Sequence, residues 1–256
     1  MIPKIIHQTF INQECVNSCK TLKYCQDKLL DLHPDFIYKF YNDTTDIENY
    51  IKNNFSKRYF NAFMNLPKKI MKIDFFRYFV MYKEGGLYCD LDYVFFKPFD
   101  ILDNSCVLMN EWNNSEYFGN CIFASEPKHD LWKELMSYTL KYKKTPELLE
   151  NKNILGASGP FLLSEIYNKK FKNDKSIKIC DVNMFNPPEF DAIKSKIIKE
   201  LCNNKRSKYD SCNIIDYIEV QEYLKDKKDS YGVHLCASSW TTQQTPKLRS
   251  KFSKLL

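Results

Sequence analysis

The sequence predicts an α/β fold with a mostly parallel, doubly wound sheet, and three observations carry that expectation. Short apolar runs rich in strand formers alternate with segments whose apolar residues recur at helical spacing. Hydrophobic residues make up 44% and charged residues 27% of the 256 positions, a globular balance with enough apolar mass for a core. In a chain with only six glycines, two of them stand together at Gly85 and Gly86, between a helical segment and an apolar strand. A length of 256 residues suits one sizeable domain and is short for two enzymes, so the whole chain, 1–256, is expected to be a single domain.

In chain order, the apolar run Ile2 to Ile6 ends at His7-Gln8-Thr9, the pattern of a buried strand delivering polar side chains at its carboxyl end. A helix is expected over Val16 to Leu32, stopped by Pro34, and a second strand over Phe36 to Tyr41. Asn42-Asp43-Thr44 then supplies turn and cap chemistry for another helix. From Lys68 to Lys83 the apolar spacing is helical and ends at Glu84-Gly85-Gly86, a helix stop and a sharp turn. Leu87 to Phe96 reads as a strand interrupted by Asp90 and Asp92. Further strands are expected at Val107 to Met109 and Cys121 to Ala124, and a helix at Leu131 to Tyr142. Beyond Pro160 the pattern is mostly helical, with an exposed polar loop around Asn203 to Asp210.

The formal net charge of +6 is spread over many lysines, which suits an anionic small molecule as well as it suits nucleic acid or a membrane surface. No apolar run approaches the roughly 18 residues that cross a bilayer. The first residues lack the basic and apolar regions of a signal peptide, so a cytoplasmic or otherwise soluble chain is the expectation. The ten cysteines include no Cys-x-x-Cys pair, and buried free thiols are expected. Cys15 and Cys19 would share a helix face, but nothing nearby completes a zinc set. The basic end, Lys247 to Leu255, reads as an amphipathic helix packed on the domain, with contact to a membrane surface the lesser alternative.

The chemistry is expected at two places. Side chains two apart on an extended chain point the same way, so Asp90 and Asp92 present carboxylates to one point if Leu91 is buried. Oxygen ligands of this kind suit Mg²⁺ or Mn²⁺, which complete their coordination with phosphate and water. One helix earlier, Asp74 and Arg77 stand three apart on one face, among Ile73, Phe75, Phe76 and Phe79, which must pack on the sheet. An Asp there accepts from hydroxyl groups, while the guanidinium fork grips sugar or phosphate oxygens.

The strings Ile2-Pro3-Lys4-Ile5-Ile6-His7-Gln8-Thr9-Phe10, Asp74-Phe75-Phe76-Arg77-Tyr78 and Gly85-Gly86-Leu87-Tyr88-Cys89-Asp90-Leu91-Asp92 together resemble glycosyltransferase family thirty-two. That family has a DXD sugar-binding region and includes fungal mannosyltransferases, and the same block is similar to the glucosylating domains of clostridial toxins. Gly156-Ala157-Ser158-Gly159-Pro160 and His234-Leu235-Cys236-Ala237-Ser238-Ser239-Trp240 are similar to later family segments, whereas the stretch from Phe161 to Tyr231 carries little likeness.

The resemblance implies a GT-A, Rossmann-like fold with a helical carboxyl-terminal portion. About residues 1–130 would bind the nucleotide-sugar and about 131–256 would form the acceptor side. It implies a divalent cation, Mn²⁺ or Mg²⁺, and transfer with retention from a UDP-sugar, with GDP-sugars open, to a glycan, protein or other hydroxyl acceptor. Thr9 and Phe10 would flank the base, although Phe10 stands where relatives often have Trp. Asp74 would bind hydroxyls, Arg77 the sugar and phosphate, and Tyr88 the donor near its diphosphate. Asp90 would reach the ribose and metal-bound water, Asp92 would ligate the metal directly, and His234 or Ser238 would add a further metal contact. Trp240 would cover the leaving diphosphate. Asp90, Asp92 and Arg77 are thus the expected catalytic set, and no nucleic acid is implied as a partner.

Two rivals come from other classes. Asp90-Leu91-Asp92-Tyr93-Val94 fits the nucleophile motif of a haloacid-dehalogenase-type phosphatase, but the chain contains neither Asp-Asp nor Gly-Asp for its later acidic pair. A binding module that kept the fold and lost turnover is the second.

Overall fold

The computed structural model describes residues 1–111, 116–150, 153–187 and 229–235. Strand β1 (Ile5–Phe10) is followed by helices α1 (Gln13–Ser18) and α2 (Lys20–Leu32), strand β2 (Ile37–Asn42), and helices α3 (Thr45–Asn54), α4 (Lys57–Met64) and α5 (Lys69–Glu84). Strands β3 (Gly86–Cys89), β4 (Tyr93–Phe95), β5 (Cys106–Met109) and β6 (Ile122–Ser125) lead to helix α6 (Asp130–Lys144). Short helices α7 (Glu147–Glu150) and α8 (Ile154–Ala157) precede α9 (Pro160–Ile166), which runs into a π-helical turn over Tyr167–Phe171. Strand β7 (Ile177–Cys180), helix α10 (Val182–Phe185) and strand β8 (Gly232–His234) complete the described elements.

Six strands form one sheet in the order β2-β1-β3-β6-β5-β7. Neighbours β1–β2, β1–β3 and β5–β7 are parallel, and β6 alone runs antiparallel to its two neighbours β3 and β5. The expected mostly parallel α/β sheet is therefore present. Successive strand residues alternate between its faces. Tyr88, Phe123, Cys106 and Leu108 join the core beneath α5 and α6, while Leu87, Cys89, Ile122, Ala124, Val107 and Met109 join the core on the other side.

Helix α5 explains why polar residues reach the interior. An amphipathic surface helix buries one stripe, but α5 packs against β3, α3, α4, α6 and α8, and every residue from Asp74 to Met81 is buried. Phe75, Phe76 and Phe79 are fully buried as expected, and Ile73 packs partly buried on the same core. The glycine pair behaves as its spacing implied, with φ of +66° at Gly85 and +93° at Gly86. A Cβ would stand 2.5 Å from the Ser125 carbonyl oxygen at Gly85 and 2.5 Å from that of Ile5 at Gly86, so the helix-to-strand turn is wedged between backbones.

Several boundaries differ from the sequence expectation. Strand β1 continues through His7, Gln8 and Thr9 to Phe10, because parallel pairing with β2 extends over the whole run. The helix expected over Val16 to Leu32 is two helices, broken at Cys19, which has extended φ and ψ of −103° and 105°. Cys15 and Cys19 therefore do not form a helical pair across one turn. All described cysteines are free, and all except Cys15 are buried. The mostly helical pattern expected beyond Pro160 misses β7, whose alternation of buried Ile177 with exposed Lys178 spans four residues at a sheet edge. The loop around residues 203–210 and the basic carboxyl end fall outside the described residues. No described helix is long and apolar enough to cross a membrane.

Candidate functional site

Beyond β3 the chain leaves the main sheet. Asp90 N donates to the Cys121 carbonyl at 2.7 Å, Tyr93 N donates back to the Asp90 carbonyl at 3.1 Å, and β4 then pairs antiparallel with β8 in a second sheet. Asp90, Leu91 and Asp92 thus occupy a tight turn between two sheets, not the extended strand expected for them. The two carboxylates still converge, because Leu91 is pinned inward at 2% exposure against Val16, Cys19 and Leu22. The pleat was the wrong reason for a correct juxtaposition.

The turn brings His234 alongside. Its register partner on β4 is Tyr93, the Leu235 amide donates to the Asp92 carbonyl at 2.9 Å, and His234 Nε2 lies 3.2 Å from Asp92 Oδ1. Asp90, Asp92 and His234 each offer a ligand atom, and these atoms lie within 4.8 Å of one another. The His234 amide donates to Asn186 Oδ1 at 3.3 Å, and the Cys121 thiol shares a hydrogen bond with the imidazole. Ser238 and Trp240 lie outside the described residues.

Behind this rim sits a buried polar floor. Arg77, with 7% of its side chain exposed, places Nη1 at 3.2 Å from Asp90 Oδ2 and Nη2 at 3.1 Å from Asp90 Oδ1, a two-pronged pair. It also donates to the Asn120 carbonyl, approaches Asp74 Oδ1 at 3.7 Å, and lies 5.0 Å from the centre of the Tyr88 ring. Burial works against its charge, but Asp90, Tyr88 and Asp74 outweigh that cost and raise its pKa. Asp74 accepts from Asn120 Nδ2 at 3.1 Å and from Ser158 Oγ at 2.8 Å. Burial pushes its carboxyl up to about 6, with Arg77 and Ser158 pulling the other way. Asp90 is raised as well, first by burial and, against the pull of Arg77, by Asp92.

A hydroxyl relay completes the floor. Tyr88 OH donates to Asp90 Oδ1 at 2.9 Å, which leaves Thr9 Oγ1, 3.1 Å away, to donate to Tyr88. Parallel pairing of β1 with β3, in which His7 faces Tyr88, sets Thr9 beside the end of β3. Phe10, at the end of β1, packs partly buried against the cluster of Val16, Cys19, Leu22 and Leu91.

Sequence reasoning thus named Thr9, Asp74, Arg77, Tyr88, Asp90, Asp92 and His234, and the fold brings all seven together. It missed Asn120, Cys121 and Asn186, which stand alone in loops or strand ends with no local pattern to flag them. The Gly156–Pro160 segment was noticed without a role. Its Ser158 is gripped by Asp74 through Oγ, while Tyr78 OH donates to its carbonyl at 2.8 Å. A Cβ on Gly159 would lie 3.4 Å from Asp74 Oδ2.

Residues 20–118 match the model of a family described as a glycosyltransferase sugar-binding region containing a DXD motif. Inositol phosphoceramide mannosyltransferase 2 of Schizosaccharomyces pombe is 31% identical over 242 residues, covering 94% of this chain and 58% of its own length. Mannosyl phosphorylinositol ceramide synthase SUR1 of Saccharomyces cerevisiae is 29% identical over 187 residues, covering 73% of this chain and 47% of its own. The chain spans about half the length of these curated relatives. Among solved structures, PaToxG glycosyltransferase is similar with a TM-score of 0.46 and 18% identity, over 67% of this chain and 70% of that one.

Proposed function

We propose, from the match of residues 20–118 to a glycosyltransferase sugar-binding region containing a DXD motif, that the chain is a metal-dependent glycosyltransferase. It moves a hexose or N-acetylhexosamine from a nucleoside diphosphate sugar to a hydroxyl acceptor, with retention at the anomeric carbon. The observation that carries this reading is the convergence of Asp90, Asp92 and His234 on one point, backed by Arg77.

The cluster fits a divalent cation. Asp74 and Asp90 lie against the Arg77 guanidinium and Asp92 against the His234 imidazole, so three carboxylates gather around one fixed positive charge, an excess that a divalent ion cancels. Carboxylate oxygens and an imidazole nitrogen suit Mn²⁺ or Mg²⁺, with Asp92, His234 and Asp90 as the ligands. When bound, such an ion neutralises charge developing on the departing diphosphate.

The chain's own residues supply orientation. Arg77 holds Asp90 with both carboxylate oxygens engaged, and the Thr9–Tyr88 relay fixes the same group from the other side. Asp74, locked by Ser158 and Asn120, is the acceptor for donor hydroxyls. Phe10 at the end of β1 flanks the base. We favour displacement on the same face as departure, with a donor phosphate oxygen taking the acceptor proton; a trapped glycosyl adduct on any side chain would exclude it. The names of the curated relatives make mannose the first sugar to test.

A thermal-shift screen of UDP- and GDP-sugars with and without Mn²⁺ tests the reading, since a ligand of the folded state raises the midpoint with occupancy. Asp92→Ala is expected to remove the metal-dependent part of the shift. A variant that responds to Mn²⁺ and donor as the parent does sinks the assignment. Sugar release from the donor supports the transferase, phosphate release from a simple monoester the phosphatase, and binding without either the turnover-free module.

A further inference from the structure

We propose that a groove beside the charged cluster holds a neutral sugar ring of the acceptor, an assignment that rests on the transferase reading above. The groove, of about 300 Å³, is lined by Glu116, Tyr117, Phe161, Ser164, Glu165 and Asn168. Tyr117 is 48% exposed, and its ring centre stands 5.5 Å from that of Phe161 with the planes at 60°, an aromatic corner open to solvent. A pyranose has an apolar C–H face and an edge of hydroxyl donors. Aromatic rings take the face, while carboxylate and amide oxygens accept from the edge. The lining holds two carboxylates and no cationic side chain, with Lys172 pairing Glu116 from outside it, so it offers a phosphorylated ligand no direct counter-charge.

The walls are tied to each other before any ligand arrives. Phe118 N donates to Ser164 Oγ at 2.9 Å, Asn168 Nδ2 donates to the Glu116 carbonyl at 3.0 Å, and Lys172 pairs with Glu116 at 2.5 Å. Such preorganisation lowers the ordering cost of binding. Both walls also continue directly into the cluster. Tyr117 lies three residues before Asn120, which touches Arg77 and Asp74, and Phe161 lies three residues after Ser158, which touches Asp74. Three residues reach at most about 10 Å. A glycan crossing that distance leaves one ring in the groove and brings its reacting hydroxyl to the cluster, so a disaccharide is a better acceptor than a monosaccharide.

The test uses the full chain, saturation-transfer NMR with methyl hexosides and their disaccharides, and initial rates with nucleotide sugar and Mn²⁺. Tyr117→Ala and Phe161→Ala are expected to weaken saturation transfer and raise acceptor KM about tenfold, with kcat and donor hydrolysis within about twofold. Tyr117→Phe keeps the platform and restores KM. An unchanged acceptor KM in both alanine variants overturns the proposal, as does saturation transfer to inositol phosphate with none to any methyl glycoside. If the parent chain hydrolyses no donor, the transferase reading fails separately. Saturation transfer that is lost in Tyr117→Ala then still supports a sugar site, and its absence from the parent removes it.

Discussion

The floor and the rim of the cluster are built in opposite ways. Asp74, Arg77, Tyr88 and Asp90 lie within 17 positions on one helix, the next strand and the turn that leaves it; hydrogen bonds or ion pairs link all four, with Asp74, Arg77 and Tyr88 buried and Asp90, 22% exposed, reaching from floor to rim. Asp92 and His234 are 142 positions apart, meet through a two-stranded sheet, and keep 15% and 18% of their side chains exposed. Charge in the floor is a structural obligation, since removing one buried partner strands the others. The rim residues are no more exposed than Asp90, so what separates the two carboxylates is their partners: Asp90 is held by Arg77 and Tyr88, whereas Asp92 meets His234. The lesson is that residues of one motif, Asp90 and Asp92, have different duties although a single residue separates them.

The largest expected effect breaks the floor. Arg77→Met leaves Asp74 and Asp90 buried without their counter-charge and is expected to cost about 3–5 kcal/mol in urea unfolding. A loss below about 1 kcal/mol would mean that water reaches these carboxylates and that floor and rim do not differ.

The next effect comes from His7, whose register partner across the β1–β3 pairing is Tyr88. Its Nε2 lies 2.9 Å from the Gly85 carbonyl and its Nδ1 3.2 Å from Tyr41 OH, and burial lowers its pKa to about 4 from 6.5. The folded state therefore keeps the ring neutral where the unfolded chain binds a proton. The contribution is fully present above about pH 6.5 and is lost as pH falls toward 4, about 3 kcal/mol in all. Asp74, raised to about 6, takes up a proton over the same range with the opposite sign, so the His7 contribution is read from the difference between parent and His7→Gln urea midpoints, which should shrink as pH falls from 6.5 to 4. A difference that does not change with pH would place the imidazole in contact with solvent.

Ser158→Ala removes one of the two hydrogen bonds to Asp74 and is expected to cost about 1–3 kcal/mol, with a further rise in the Asp74 carboxyl pKa readable by NMR titration. The smallest effect on stability belongs to the rim. Asp92→Ala should change unfolding free energy by less than about 1 kcal/mol while abolishing the response to Mn²⁺. A large destabilisation there would show that the rim too is structural.

Much of this was legible in the chain. The Gly85–Gly86 turn, helix α5 and strands β1, β2, β3, β5 and β6 each leave a local signature, an apolar period or a residue with unusual backbone freedom. The floor residues were legible for the same reason, since they sit at short spacings among apolar neighbours. Strand β7 was not, because four residues at a sheet edge carry too few alternations to separate from a helical segment. Asn120 was silent, because a lone amide in a loop looks the same whether it holds a carboxylate or faces water.

By itself, then, the sequence determined which segments pair or coil and that an acidic pair follows a buried strand, because burial repeats with the period of the local backbone. The tertiary structure alone decided that a turn, not a pleat, aims Asp90 and Asp92 together, and that His234 rather than a nearer residue faces them. It also decided that the walls at Tyr117 and Phe161 meet. Those outcomes depend on where β4 leaves one sheet for another and on which distant backbone satisfies its hydrogen bonds. No local period encodes that choice, since it is made by long-range packing.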